Sequence, residues 1–223
     1  MQDLGPSLAG KRKRVLDPWD LCRGRDVFQH REELNVSLSI ASFTHWAPNC
    51  STFSRAREHL IPRVANPPRP LRSTREPHGI PSELARLPKA KRRKVEADTA
   101  MAEMAANECE KAHACGKGFG LEHLKNSIAR ELPSWKRLES LPGVFVTEYH
   151  ACMFSPAKRR KSQVLIHNEP SLRDSLGKLC PDPRRCQRTG SPHLNWKPRV
   201  DSGRVVSFAT GQEREYPKGF CSE

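Results

Sequence analysis

Two groups of residues in this chain have the types and spacing that chemistry requires. The first is Cys50, in the run SFTHWAPNCSTFSRARE (42–58), where an apolar, β-rich stretch ends in Ala-Pro-Asn-Cys and then turns basic. A thiol just past a strand end is either a small core residue or a presented nucleophile, and a helix amino terminus beside it favours its ionised form. The second is CPDPRRCQRTGSPH, which sets Cys180, Cys186 and His193 close together, with Cys221 as a fourth donor from further along. Three thiolates and an imidazole suit tetrahedral zinc, and short irregular segments often need a metal to order them. The spacing is not the usual knuckle, so unliganded thiols in an irregular tail are the competing reading.

Three enzyme classes could use a cysteine after a strand. A tyrosine phosphatase needs an arginine in fixed register after the thiol, and that position is Ala56, between Arg55 and Arg57. A cysteine protease needs a partner histidine held by an orienting group, and none of the nine histidines has a recognisable setting for it. The third class emerges only with the elements around Cys50.

At 223 residues the chain can build one α/β domain with a sizeable core, but 36% hydrophobic and 6% aromatic residues with 19 prolines imply long irregular segments beside it. The formal charge of +14 attracts polyanions, DNA or RNA above all, because neutralised phosphates release counterions. Few aromatics argue against a stacking platform for single strands. The start, MQDLGPSLAGKRKR, lacks the apolar stretch of a secretory signal, so the eight cysteines are expected in a reducing compartment, nucleus or otherwise cytoplasm. No run approaches the ~18 apolar residues of a membrane span.

Residues 1–35 read as a basic, mostly irregular segment with VLDPWDL as its only ordered-looking part. Residues 36–168 read as the α/β domain. Its first strand is expected over Leu38–Trp46, followed by a helix starting at Ser51 or Thr52. Residues 63–81 are a proline- and arginine-rich loop. Residues 82–114 carry the best helical pattern, broken at Pro88, with Val95, Met101, Met104, Ala105 and Cys109 on one face. A strand at FGLEHL, a helix over SIARELPSWKRLESL and strands in GVFVTEYHACMF and SQVLIHN follow. Residues 169–223 are an irregular Cys/His segment with a strand at RVVSFAT. Helices interleaved with short strands imply a mainly parallel sheet with its ligands at the carboxyl ends.

Placed on these elements, APNCSTFSRAR resembles the Pro-Pro-Cys loop and following helix of DNA cytosine-5 methyltransferases, particularly the divergent copies in eukaryotic mobile elements. LEHLKNSIARELPSW is similar to the family's Glu-Asn-Pro/Val strand and following Ser-x-x-Trp, and MFSPAKRRKSQVLIHN to its Pro-Gln-x-Arg segment, in the same order. The resemblance spans roughly residues 36–168. It implies an incomplete Rossmann-like methyltransferase sheet, S-adenosylmethionine as cofactor, and Cys50 as the thiolate that attacks a cytosine flipped from the duplex. It also implies Arg159 near the bound base and Asp20 as a contact to the cofactor's adenine, while Arg55 and Arg57 stand ready for phosphate.

The departures are specific. Asn49 replaces the second proline, which is expected to loosen the turn; Lys125 stands for the glutamate that protonates the cytosine ring; Ser127 and Ala157 replace two further motif residues. No Gly-x-Gly precedes VSLSIASF. A truncated, catalytically compromised methyltransferase-like protein is therefore expected, without tight cofactor binding. The alternatives are a non-enzymatic nuclear nucleic-acid-binding protein, using basic runs such as Lys91, Arg92, Arg93 and Lys94, or a relic of a mobile element without selected function. For those runs the competing reading is a solvated helix face.

Overall fold

The computed structural model describes residues 16, 26–58, 64, 68–154, 159–196, 199–201 and 204–207. By its contacts the chain divides into two compact units, one up to Ser42 and one from Phe43 onward. The first unit contains α1 (Arg31–Ile40), which begins with Glu32 and Glu33 in its first turn, where the helix dipole favours negative charge. Residues 38–40 were expected in a strand but end this helix. Ile40 gives the stretch a β-like look, yet it is 68% exposed at the last position of the helix.

In the second unit β1 (Phe43–Trp46), β2 (Gly118–Leu124), β3 (Phe145–His150) and β4 (Ser162–His167) form a four-stranded sheet in the order β1-β2-β4-β3. β1 and β2 are parallel, and β4 lies antiparallel to both of its neighbours. The fold is thus α/β, with a mixed sheet where a mainly parallel one was expected, because β3 and β4 form an antiparallel pair.

Parallel neighbours need a crossover. Here it contains α2 (Pro81–Ala85) and α3 (Lys89–Ala114), separated at Pro88 as the sequence indicates. Val95, Asp98, Thr99, Ala102, Ala105, Ala106, Cys109 and Ala112 form the buried face of α3, at helical spacing. Met101 and Met104, expected on that face, are only half-buried, since alanines supply the contact with the sheet. The helix ends in a Schellman motif: Gly116 at φ +67° donates to the His113 carbonyl at 3.0 Å, and Lys117 to that of Ala112 at 2.9 Å.

Phe119 and Leu121 of β2 and Ile166 of β4 pack with this face and with Trp135 and Leu138 of α4 (Pro133–Glu139). Trp135 is fully buried and donates its indole N–H to the Ala102 carbonyl at 3.0 Å, joining α4 to α3. Pro133 opens α4, so the single helix expected from Ser127 onward is a 3₁₀ turn, Ile128–Glu131, followed by a short helix. On another cluster Tyr149, Phe154 and Leu165 pack with Leu176 of α5 (Pro170–Leu176). In a small antiparallel pair, β5 (Arg199–Asp201) and β6 (Arg204–Ser207), β6 falls within the strand expected at RVVSFAT, and β5 was not expected. Among the described residues no helix is long and apolar enough to cross a membrane.

Candidate functional site

The chain from Ala47 to Ser54 leaves the carboxyl end of β1 and carries a half-buried Cys50. Asn49 holds the turn in two directions: its carbonyl oxygen accepts from Ser51 N at 3.0 Å and its amide donates to Asp98 Oδ1 at 3.2 Å. These two side-chain bonds hold the turn at the position where the resemblance calls for a proline. Three residues on, the Thr52 hydroxyl donates to Asp98 Oδ2 at 2.7 Å.

Beneath this loop lies Arg72, 1% exposed. Its Nη1 donates to the Pro77 carbonyl (2.7 Å) and Thr99 Oγ1 (2.9 Å), and its Nη2 to the Val95 carbonyl (2.8 Å) and Thr52 Oγ1 (3.1 Å). The guanidinium lies 3.8 Å from the centroid of the Phe53 ring, a cation–π contact. Burial draws the Arg72 pKa down to about 10 against the opposing pull of Asp98, so the group stays charged at neutral pH. Arg72 escaped sequence reading because it sits in the proline- and arginine-rich loop, where a charged residue reads as solvated.

The helix expected after Ser51 is a turn followed by a 3₁₀ turn, Arg55–Arg57, capped by the Ser54 hydroxyl. A tertiary bond explains this: the Phe53 carbonyl, which a helix would bond to Arg57, instead accepts from Ile128 N at 3.1 Å. Arg55 Nε donates to the Asn126 carbonyl at 3.1 Å. The Cys50 loop and the 125–131 loop, at the carboxyl ends of adjacent parallel strands, are thus stitched together. Between them is an open depression lined by Arg55, Lys125, Asn126, Ser127, Arg130 and Glu139. Its cations are largely matched: Lys125 pairs with Glu148 at 2.7 Å and Arg130 with Glu139 at 2.8 Å.

Lys91, Arg92, Arg93 and Lys94 are exposed in the first turns of α3. Lys94 also reaches Asp98 Oδ1, at 3.2 Å, so the basic start of α3 and the Cys50 loop meet at one carboxylate. Arg57 is half-buried in the 3₁₀ turn, whereas Arg159 is buried against the segment that follows His193, donating to the Asn195 carbonyl at 3.0 Å. Asp20 and Cys221 lie outside the described residues, as does Ala157.

The second site is a set of four donors that could hold a metal ion: Cys152, Cys180, Cys186 and His193, whose ligand atoms all lie within 4.8 Å of one another. Three of the four named from the sequence, Cys180, Cys186 and His193, are here, and Cys152 joins them from the 3₁₀ turn (Ala151–Met153) after β3. Local structure explains the approach. His150 N donates to the Lys178 carbonyl at 3.0 Å and Cys180 N to His150 Nδ1 at 2.8 Å, laying the 178–180 segment beside the end of β3. A bridge between Arg185 and Pro192 and a turn through Gly190, at φ +69°, then return the chain so that Cys186 and His193 face the same place.

The three thiols are buried together at 0–2% exposure. Burial and the neighbouring Cys186 and Cys180 push the Cys152 thiol up to about 12. Burial also opposes ionisation of Cys186, but hydrogen bonds from Thr189 and Arg188 outweigh it and bring that thiol down to about 6. Cys109 has a different character: burial in the main core holds its thiol well above the usual range, as in a packing residue. The sequence signal for Cys152 was weak, since YHACMF reads as the end of a strand. No family model, curated protein or solved structure matches this chain.

Proposed function

We propose that this is a DNA-binding protein of cytosine-5 methyltransferase-like build, in which Cys50 is presented as a nucleophile while methyl transfer is compromised. The observation that carries the reading is the meeting of three elements around Cys50. Its loop is stitched to the 125–131 loop by Phe53 and Arg55 and shares Asp98 with the basic start of α3. The resemblance calls for the first pair of loops to adjoin, and phosphate binding for cations beside them.

The impairment rests on Lys125. A lysine offers donors only, so it cannot make the acceptor contacts to a base edge that the family's glutamate makes, and here it is paired with Glu148. The basic runs suit a nuclear setting, and zinc is the ion proposed for the Cys/His cluster.

A salt titration of duplex DNA binding, run alongside transfer of label from S-adenosylmethionine, tests the reading. Saturable, salt-sensitive binding is expected in both the native chain and Cys50→Ala, with no label reaching the DNA. Absence of salt-sensitive binding overturns the DNA-binding function; sustained transfer that Cys50→Ala abolishes overturns the impairment.

A further inference from the structure

We infer that Cys152, Cys180, Cys186 and His193 form a closed structural zinc(II) site that fastens residues 177–196 to the sheet. The inference is independent of what the Cys50 loop binds.

The geometry supports it first. Zn–S bonds of about 2.3 Å at tetrahedral angles place sulfurs roughly 3.8 Å apart. Donors already within 4.8 Å of one another need only small side-chain adjustments to reach that spacing. The imidazole is set up as a ligand. His193 Nδ1 lies 3.3 Å from the Pro183 carbonyl, which fixes it as the protonated nitrogen, and Nε2 is buried without a hydrogen-bond partner. The sulfurs have outer partners of the kind that steady thiolates: Gln187 N donates to Cys180 Sγ at 3.4 Å. Arg188 Nε donates to the Cys152 carbonyl at 3.0 Å and places a cation beside a ligand set that, with zinc bound, carries a net negative charge.

The local architecture supports it second. Residues 177–196 contain no helix or strand, only the Arg185–Pro192 bridge, and their buried apolar cluster consists of the cysteines themselves with Met153. Such a segment has little apolar burial to offset its ordering entropy. Three ligands lie on the segment and the fourth, Cys152, on the turn that ends β3, so the ion ties one to the other. A disulfide between any two of the thiols would leave the His193 Nε2 buried without a partner. Three thiolates and an imidazole favour zinc among common ions, and four protein donors leave no open position for a reacting molecule.

The test uses the full chain, expressed and purified under reducing conditions without added metal, and analysed for bound metals. One zinc per chain is expected in the native protein and in Cys221→Ser, and its loss in Cys152→Ser. Metal-free native protein, iron in place of zinc, full zinc retention in Cys152→Ser or loss in Cys221→Ser each overturns the inference. Because Cys152→Ser could fail to fold, cobalt(II) is also exchanged into the native chain. Tetrahedral d–d bands with thiolate-to-cobalt charge transfer are expected, and an octahedral spectrum overturns the site.

Discussion

The Thr52 hydroxyl lies 2.7 Å from the Asp98 carboxylate, which fixes a residue two positions past Cys50 to the middle of the chain's crossover helix. The same hydroxyl accepts from Arg72, so one buried network sets the path of the thiol-bearing loop.

Arg72→Ala removes that network's centre. It leaves the Thr52 and Thr99 hydroxyls with one partner fewer and Phe53 without its stacked cation, and is expected to cost about 3 kcal/mol in urea unfolding. Arg72→Lys should recover little, because an ammonium cannot span four acceptors in the guanidinium plane. Thr52→Val, at about 1–2 kcal/mol alone, should cost clearly less in the Arg72→Ala background. Strict additivity would show that the two residues do not act together.

His123 gives the fold a pH dependence. Burial, aided by the charge of Lys161, holds its pKa down to about 3, with both ring nitrogens unpartnered between the Phe53 and Trp135 rings. The folded pKa lies below the unfolded value of about 6.5, so the unfolded chain takes up the extra proton as pH falls. Stability is full above that value and declines beneath it, by about 2 kcal/mol at pH 5 from this residue. Burial lowers His150 and His167 as well, which adds to the slope. Unfolding measured at pH 7 and pH 5 should show a smaller difference in His123→Phe than in the native chain; equal differences would contradict the assignment.

The exposed start of α3 is expected to supply phosphate contacts. Lys91→Gln, Arg92→Gln and Arg93→Gln together, with Lys94 kept for Asp98, should leave unfolding stability nearly unchanged. The slope of log affinity for duplex DNA against log salt should fall by roughly 2–3. An unaltered slope would assign this run to a solvated face.

Gly116 is required by its backbone and not by space, since apart from its chain neighbours no atom lies within 4 Å of where its Cβ would stand. Gly116→Ala should therefore cost about 1 kcal/mol, the strain of alanine at φ +67°. A much larger loss, read from thermal unfolding, would mean that the end of α3 packs more tightly than described.

The crossover helix was legible because Pro88 and Gly116 bracket a periodic run, and the strands around Leu121, Tyr149 and Val164 because apolar residues cluster there. What misled was local pattern without tertiary context. Leu38 and Ile40 look like strand residues but belong to a helix, and the stretch after Ser51 loses its helix to one hydrogen bond from Ile128. Cys152 and Arg72 were invisible for a related reason. Each acts through partners distant in sequence, the one with Cys180 and Cys186, the other with Thr99 and Thr52, and neither partnership leaves a periodic trace.

The alanine face of α3 has a mechanical consequence. With Ala102, Ala105 and Ala106 all at 0% exposure, α3 approaches its neighbours through methyl groups, in a close-packed core with little room for an intrusion. A bulkier residue at Ala106 would lift the helix as a stiff rod. Asp98 lies two turns away on the same rod, so the displacement would arrive at Asn49 and Thr52, on either side of Cys50, with little damping.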